Sequence, residues 1–150
     1  MKATSRRKCL DAFQKLRRLQ CADENGYVRC ISSNRVYKWN QVDGGHFIQR
    51  DCRVTEMEPD NVHPQSKKDN WHLDGNHADY RTNLIKKIGI ERVERLENMS
   101  AADGGSDTAY AKLNDNDKRK VVQRKTNNEY DILAKVYRAR YREIERNLPK

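Results

Sequence analysis

The residues of this chain best suited to chemistry are a histidine and two asparagines near the ends of short predicted elements. His46 follows Asp43-Gly-Gly, Asn61 lies about fifteen residues further on, and Asn70 comes after a further turn. A neutral imidazole with a pKa near ~6.5 can take a proton from water at physiological pH. An amide oxygen is a hard ligand that suits Mg²⁺. This order of side chains is typical of nucleases that use one divalent cation.

A series of short motifs surrounds these residues. They are Cys30-Ile-Ser, Asp43-Gly-Gly-His46, Asn61-Val-His63-Pro-Gln65, Asn70-Trp-His72-Leu-Asp-Gly75-Asn76, Tyr80-Arg81 and Leu84-Ile85-Lys-Lys-Ile88-Gly89. In this order they resemble the phage NinG/Rap recombination-protein family, a branch of the HNH (ββα-metal) nucleases. The resemblance runs from about Val28 to Leu96. It implies a metal-dependent DNA endonuclease that acts on branched recombination intermediates, encoded by a phage or prophage and located in the cytoplasm of the bacterial host.

The resemblance also implies a role for each site residue. His46 would be the general base, and Asn61 would hold the neighbouring loop and orient the base. Asn70 would bind the cation, Mg²⁺ or Mn²⁺. Many HNH enzymes carry an acid or a histidine directly before the base, where this chain has Gly45. Asp43 is the nearest carboxylate and is therefore expected to be the second metal ligand.

His72 is a further candidate metal ligand. Residues two apart on an α-helix point about 200° away from each other. If residues 66–72 are helical, Asn70 and His72 cannot both face His46. His72 then reaches the cation only if the helix breaks before Gly75, and otherwise it would support the site or contact phosphate.

Three basic side chains are candidate DNA ligands. Arg50 would share a strand face with His46 because side chains alternate along a strand, which would place its guanidinium beside the same phosphate. Lys67 and Lys68 could bind the DNA backbone nearby, although a solvated pair is equally expected. His63 is expected to pack rather than to do chemistry.

One departure from the family pattern concerns zinc. Such proteins usually carry two Cys-x-x-Cys pairs, which would place four thiolates on a structural Zn²⁺. Here the first pair reads Cys30-Ile-Ser-Ser33 and the second reads Ser66-Lys-Lys-Asp69. Three of the four ligands are replaced, and a neutral serine hydroxyl is a poor zinc ligand. Structural zinc is therefore not expected: either hydrogen bonds and packing hold these loops, or natural cysteines have been replaced.

The net charge of +9 is unevenly distributed along the chain. Residues 1–21 carry seven Lys and Arg against one acid, and residues 112–150 carry twelve against six, so each end is +6 and the middle is −3. Basic flanks suit a polyanion such as duplex or branched DNA, and a mildly acidic centre suits a cation. The competing interpretation is that Lys and Arg only solvate helix faces.

The cysteine spacing argues against a zinc or redox motif, and the hydropathy argues against a membrane span. The gaps between Cys9, Cys21, Cys30 and Cys52 match no zinc or redox motif, which favours reduced thiols in a cytosolic protein. No apolar run approaches the ~18 residues that a membrane span needs, so no membrane partner is expected.

The periodicity predicts short strands and amphipathic helices, hence an α+β protein with basic helices at both ends, and the resemblance implies that its core is a small ββα-metal (HNH) unit. The expected divisions are an N-terminal helix in 1–22, a core in 27–97, a linker in 98–113 and a helical arm in 114–150. Helix is expected over 5–20, 115–125 and 127–147, and from residue 76 onward. The expected strands are 28–31, 36–39, 46–50 and 61–63, and residues 100–107 are expected to form a polar loop.

Two other functions compete with the endonuclease. One is a DNA-binding protein that keeps the HNH fold without catalysis, which the missing cysteines and Gly45 favour. His46, Asn61 and Asn70 count against it, because binding alone needs none of them. The other is an unrelated basic helical adaptor, which leaves the central motifs unexplained. The apolar stripe of residues 130–148 is expected to pack on the core or on another helix, which keeps a homodimer open.

Overall fold

Two β-hairpins and six α-helices form the part of the chain that the structure, a computed structural model, describes. That part is residues 2–72 and 76–149, with the side chain of His72 also left out. The strands are β1 Tyr27–Arg29, β2 Val36–Lys38, β3 Val42–His46 and β4 Val62–Ser66. The helices are α1 Ser5–Gln20, α2 His77–Ile88, α3 Ile90–Asp103, α4 Asp107–Ala111, α5 Asp115–Val122 and α6 Asn127–Arg146. The predicted mixture of helices and small sheets is confirmed.

Helix α1 has the predicted bounds and buries the predicted face. The Thr4 side chain accepts a hydrogen bond from the backbone N–H of Arg7, which caps the first turn. Leu10, Phe13, Leu16 and Leu19 are all buried. Apolar residues three apart lie on one side of a helix, so the basic residues are left around the rest of its surface.

The predicted strand 46–50 is wrong, because β3 ends at His46 rather than beginning there. β3 pairs antiparallel with β4, with Val42 opposite Ser66 and His46 opposite Val62. Beyond His46 the backbone N–H of Ile48 donates to the side-chain Oδ1 of Asn61 (2.7 Å) instead of a strand carbonyl. A side-chain acceptor thus takes the place of the next ladder bond, and the chain leaves the hairpin.

The β3–β4 hairpin packs against α2. The Tyr80 hydroxyl of α2 donates to the carbonyl of Gly45 in β3 (2.8 Å), and its ring is fully buried. Gly89, at a φ of 91°, breaks the helical stretch between α2 and α3 as its position in the stripe predicts. The core of this region consists of Ile31, Phe47, Tyr80, Leu84, Val93 and Leu96.

The polar loop expected at residues 100–107 is another wrong prediction. Helix α3 continues to Asp103, and only residues 104–106 separate it from α4. Alanine is a strong helix former, and here it outweighs the neighbouring Gly and Ser. The segment helps to build a second apolar cluster of Val54, Met99, Ala102, Ala109 and Leu113. The division of the chain into four segments stays a prediction.

Helix α6 packs along α1, as the apolar stripe predicts. Phe13 and Tyr137 approach with ring centroids 5.1 Å apart, and Trp39 meets Tyr141 edge-on at 6.0 Å. Thr126 caps the helix and forms a reciprocal capping box with Glu129. The first and last long helices of the chain therefore form one layer. Within the described residues, no helix is both long and apolar enough to cross a membrane.

Candidate functional site

His46 lies at the end of β3 with one ring nitrogen fixed. Its Nε2 is 2.8 Å from the backbone carbonyl oxygen of Glu56. A carbonyl can only accept, so Nε2 carries the proton and a neutral ring has its acceptor lone pair on Nδ1. No hydrogen bond to Nδ1 occurs among the residues that the structure describes. The imidazole is therefore held in the tautomer that a base acting through Nδ1 requires.

Burial keeps this imidazole neutral. The pKa of His46 is lowered to about 4, mainly by burial; the cations of Arg50 and Arg6 act in the same direction, and the hydrogen bond to the Glu56 carbonyl opposes them. The neutral form, which can accept a proton, consequently dominates at physiological pH.

Asn61 holds the loop between β3 and β4, as the sequence predicts. It is fully buried at the start of β4. Its amide donates to the carbonyls of Ile48 and Thr55 (both 3.0 Å), while its Oδ1 accepts from the Ile48 N–H (2.7 Å). One side chain therefore fixes both ends of the loop that carries the carbonyl bound to His46. The predicted catalytic role itself stays a prediction.

A buried carboxylate, Glu56, supports the same loop and was missed by the sequence reasoning. Arg6 of α1 pairs with its Oε2 (2.6 Å), and the Tyr130 hydroxyl of α6 donates to its Oε1 (2.7 Å). The side chain is completely buried, and burying a charge costs heavily unless it is paired and hydrogen-bonded. Its partners lie 50 and 74 positions away along the chain, so no local pattern indicates this role.

The pocket beside His46 has a volume of about 520 Å³. It is lined by Gln14, His46, Phe47, Gln49, Arg50, Asn70, Trp71 and His77. The structure thus brings three of the predicted site residues together: the His46 imidazole, the Arg50 guanidinium and the Asn70 amide. Arg50 reaches the pocket from the loop after β3, so the strand alternation used to place it is wrong although the location is right.

Five pocket residues were not anticipated as site residues: Phe47 and Gln49 belong to the loop after β3, and the other three come from elsewhere in the chain. Gln14 comes from α1, where its amide donates to the Gly44 carbonyl (2.7 Å) and its oxygen accepts from Arg50 (3.2 Å). His77, the first residue of α2, stacks on Phe47 with a centroid distance of 4.7 Å and an 8° angle between the rings. The third is Trp71, which follows Asn70. The position of His77, directly after the Asn70-to-Asn76 motif, could have indicated it as a candidate site residue.

Asp43 does not line this pocket. Its carboxylate accepts hydrogen bonds from Lys67 (2.9 Å), Asn70 (3.1 Å) and Trp71 (2.8 Å). Burial alone would raise the pKa of Asp43, but these three bonds outweigh burial and hold it below its ordinary value. In this arrangement Asp43 positions Asn70 and the indole. Its predicted role as a metal ligand stays a prediction.

The two glycines before His46 allow close packing. A Cβ on Gly44 would lie 2.5 Å from the backbone oxygen of Gln14, and a Cβ on Gly45 would lie 2.0 Å from Oε1 of Gln65. No side chain fits at either position without movement of its neighbours. This explains why no acid or histidine directly precedes His46 here.

The four positions at which the family carries cysteines converge in space. Cys30 Sγ is 3.6 Å from Asp69 Oδ2, and the backbone N–H groups of Ser33 and Ser66 point at the same sulfur (3.5 and 3.2 Å). The Ser66 hydroxyl donates to Asp69 Oδ2 (2.5 Å), and Asn76 donates to Oδ1 (2.8 Å). We call Cys30, Ser33, Ser66 and Asp69 the tie cluster. Hydrogen bonds join these loops.

The donors at the pocket determine how a cation could be held. Asn70 uses its amide N–H on Asp43, which leaves its Oδ1 as a ligand for a hard cation. In the described chain no three His, Cys, Asp or Glu side chains are grouped as a metal site. Among the described pocket residues, Asn70 Oδ1 is thus a donor suited to a hydrated hard cation such as Mg²⁺.

The other predicted site residues have varied surroundings. Lys67 is exposed and paired with Asp43, and Lys68 is exposed at the start of a π-helical turn, Lys68–His72. The side chain of His72, predicted as a metal ligand, lies outside the described residues. His63 is buried, with Nε2 on the Asp60 carbonyl (2.8 Å), so it packs as predicted.

These features define a small α+β protein with an oriented histidine beside a polar, solvent-open pocket. The model of the family described as bacteriophage lambda NinG protein matches residues 1–147. The chain belongs to this phage family, which is related to recombination. No curated protein and no solved structure shows significant similarity to the chain.

Proposed function

We propose that this chain is a metal-dependent DNA endonuclease of the HNH type. It hydrolyses phosphodiester bonds in branched or recombination-intermediate DNA during phage or prophage recombination in the bacterial cytoplasm. The observation that carries the proposal is the orientation of His46. Its Nε2–H is bound by the Glu56 carbonyl, within a pocket that also contains Arg50 and Asn70. A neutral, oriented imidazole next to a guanidinium is suited to hydrolysis of a phosphodiester.

The proposed chemistry assigns a separate task to each side chain. Nδ1 of His46 accepts a proton from the water that attacks phosphorus in line, and the bond from phosphorus to the 3′ oxygen breaks. The Arg50 guanidinium binds the phosphate oxygens and opposes the growing negative charge. Asn70 Oδ1 is the ligand for Mg²⁺ or Mn²⁺, which when bound supplies further charge neutralisation at the phosphate. Asn61 acts through the loop that orients the base.

Affinity for DNA would come from the charge of the chain. Arg50 lies in the pocket, while Lys67 and Lys68 are exposed next to Asn70. The net charge of +9 adds a general attraction to phosphate. A homodimer stays a prediction.

The decisive experiment measures nicking of a supercoiled plasmid and of a four-way junction in Mg²⁺ and in Mn²⁺. Changing His46→Ala should lower the cleavage rate by about 10²- to 10⁴-fold, the usual effect of removing a general base. DNA affinity should stay within about twofold, because the base acts in the transition state and adds little to ground-state binding.

His63→Gln is the matched control. His63 is a buried imidazole of the same hairpin, bound to a backbone carbonyl like His46, but it does not line the pocket. With both variants folded by circular dichroism, the control should retain cleavage. Equal cleavage by His46→Ala and the wild type would show that His46 is not the base.

One observation favours a second function, a DNA-binding protein without catalysis. The Asp43 carboxylate is occupied by three donors, and no carboxylate is among the described residues that line the pocket. A cation site without an anionic ligand would bind Mg²⁺ weakly. Tight DNA binding with no cleavage in either cation would favour this alternative.

A further inference from the structure

An exposed tryptophan lies at the rim of the His46 pocket. The side chain of Trp71 is 73% exposed, the largest fraction among the exposed large hydrophobic residues in the described part of the chain. Single apolar residues on a surface are ordinary. Trp71 differs from such residues because it lines the same pocket as His46, Asn70 and Arg50.

The indole ring is held in position. Its Nε1–H donates to Oδ2 of Asp43 (2.8 Å), the carboxylate that also accepts from the Asn70 amide. Asp43 is further held by Lys67 and lies in β3, opposite Gln65. An aromatic ring fixed by its polar edge offers its apolar faces at a low entropic cost on binding.

The rest of the pocket suits a nucleobase next to a phosphate. The stacked rings of Phe47 and His77 add a second aromatic element, and Arg50 supplies a cation. Gln14 and Gln49 add amide groups, which can hydrogen-bond to the edge of a base. The volume of about 520 Å³ lies in the range typical of small-molecule sites, roughly 300–1,000 Å³.

We propose that Trp71 is a base-stacking residue that recognises an unpaired nucleobase beside the scissile phosphate and directs the His46 site to DNA with interrupted pairing. In a continuous duplex both faces of each base are covered by its neighbours. At a junction, flap or mismatch a face becomes free, and stacking on an aromatic side chain is then favourable. A base inside a duplex must first be unstacked, which opposes binding. The preference for cleaving DNA with interrupted pairing rests on the proposed function, whereas the stacking of a base on Trp71 does not depend on it.

The chain has two tryptophans, which makes the stacking directly measurable. Trp39 lies outside the pocket, against Arg18 and Tyr141. In a Trp39→Phe variant the only indole fluorescence comes from Trp71. With EDTA present to prevent cleavage, this variant is titrated with a continuous duplex, with the same duplex carrying an unpaired nucleotide, and with a four-way junction. We expect the two interrupted DNAs to quench the fluorescence and the continuous duplex to leave it nearly unchanged.

Two substitutions distinguish the effect of the aromatic ring on DNA binding from the effect of its hydrogen bond. Trp71→Ala and Trp71→Phe both lose the bond to Asp43, but only Trp71→Ala loses the aromatic face. Trp71→Ala should lose about ten- to a hundredfold of affinity for the interrupted DNAs and keep its affinity for continuous duplex. Trp71→Phe should keep most of the preference. Circular dichroism and thermal unfolding of both variants show that the fold is intact.

The outcomes distinguish this inference from the proposed function. Quenching by interrupted DNA without any Mg²⁺-dependent cleavage would support the stacking role and contradict the endonuclease. Equal quenching by all three DNAs, or an unchanged preference in Trp71→Ala, would overturn the stacking role even if cleavage is observed. No response to any DNA would also overturn it and leave the indole as a surface for a protein partner.

Discussion

Two histidines in the β3–β4 hairpin, the half-buried His46 and the buried His63, are held neutral by their surroundings. Burial lowers the pKa of His46 to about 4 and that of His63 to about 3. Each ring uses Nε2 on a backbone carbonyl, of Glu56 and Asp60 respectively. The Lys87 ammonium next to His63 contributes to the lowering of its pKa. Protonation of either ring would therefore place an unfavourable charge inside the hairpin.

This neutrality predicts that the fold loses stability in mild acid. An unfolded histidine titrates near 6.5, so between about pH 6.5 and 4 the unfolded chain binds more protons than the folded chain. Above pH 6.5 neither ring changes the free energy of unfolding with pH. Below pH 6.5 each ring lowers the free energy of unfolding by up to roughly 1.4 kcal/mol per pH unit. Denaturant unfolding at pH 7, 6 and 5 measures this slope.

The His63→Gln variant provides the control for that slope. It removes one of the two rings, so the loss of unfolding free energy between pH 6 and 5 should fall to about half. Asp43, Asp60, Asp69 and Asp117 all have lowered pKa values and titrate below this window. Constant stability from pH 7 to 5 would contradict the burial of both rings.

At the residue scale the sequence identified side chains whose chemistry is intrinsic. The imidazole of His46 and the amides of Asn61 and Asn70 were selected by type, by order and by the resemblance to the NinG/Rap family, and their catalytic and metal-binding roles stay predictions. Glu56 and Gln14 could not be identified in this way, because their roles depend on α1 and α6 folding against the hairpin. Burial and partners, rather than chemical type, define these two residues.

At the scale of elements, the tie cluster connects three pieces of backbone. Cys30 follows β1, Ser66 ends β4, and Asp69 belongs to the π-helical turn. The bonds among their side chains and backbone join both hairpins to the start of the segment that leads to α2. The Cys30 thiol, the Ser66 hydroxyl, the Asp69 carboxylate and two backbone N–H groups can satisfy one another here without a cation.

We therefore expect the purified protein to contain less than one zinc per chain and to stay folded in chelator. Structural zinc typically contributes about 10–16 kcal/mol of apparent binding free energy, so its removal would unfold a small domain. Elemental analysis and circular dichroism with EDTA provide the measurements. The unfolding free energy should be the same with and without EDTA. By contrast, Asp69→Ala should cost about 1–3 kcal/mol by leaving donors unpaired.

Stoichiometric zinc, with unfolding on its removal, would show that Cys30 and Asp69 belong to a metal site. In that case the Asp69→Ala variant should also lose zinc. If the hydrogen bonds suffice, the variant should be less stable to the same degree with and without EDTA.

The sequence predicted the long elements well and the short ones poorly. Helices α1 and α6 have apolar residues at helical spacing over several turns, so their bounds follow from periodicity. β3 was misplaced because its Val-Asp-Gly-Gly-His segment has little β-propensity, and pairing with β4 determines it. Residues 100–107 were misread because Gly and Ser suggest a loop, whereas Ala101 and Ala102 continue α3.

At the scale of the whole molecule, α6 is part of the main body of the protein. Besides the ring contacts that it makes with Phe13 of α1 and with Trp39, it supplies Tyr130 to the buried Glu56. Helix α5 adds Asp117, which binds Arg95 of α3 through both carboxylate oxygens (2.7 and 2.8 Å). The basic residues of α5 and α6 therefore lie on helices that also stabilise the core.

Deleting residues 112–150 should consequently unfold or severely destabilise the chain rather than only weaken DNA binding. The deletion uncovers the apolar face of α1 and leaves Arg6 as the remaining side-chain partner of Glu56, a buried charge. Circular dichroism and light scattering should show lost helix or association. A folded, monomeric truncation would contradict this prediction.

Substitution tests the charge of α6 without removing the helix. Lys135, Arg138 and Arg142 are exposed and lie on one face at steps of three and four. If all three contact phosphate, changing them together to Gln should lower the slope of log affinity against log salt by about 2.7, at about 0.9 per contact. An unchanged slope with an intact fold would show that this face does not bind DNA.

The pairing of α1 with α6 has a consequence for the order of events during translation. The ribosome makes α1 first, and 106 residues separate its end from the start of α6. Until α6 emerges, Phe13 lacks Tyr137 and Glu56 lacks Tyr130, so the loop that orients His46 has only part of its support. We therefore expect the His46 pocket to mature late, once the last long helix has left the exit tunnel. Nascent chains that stall earlier would be recognisable by protease attack on the uncovered side of α1.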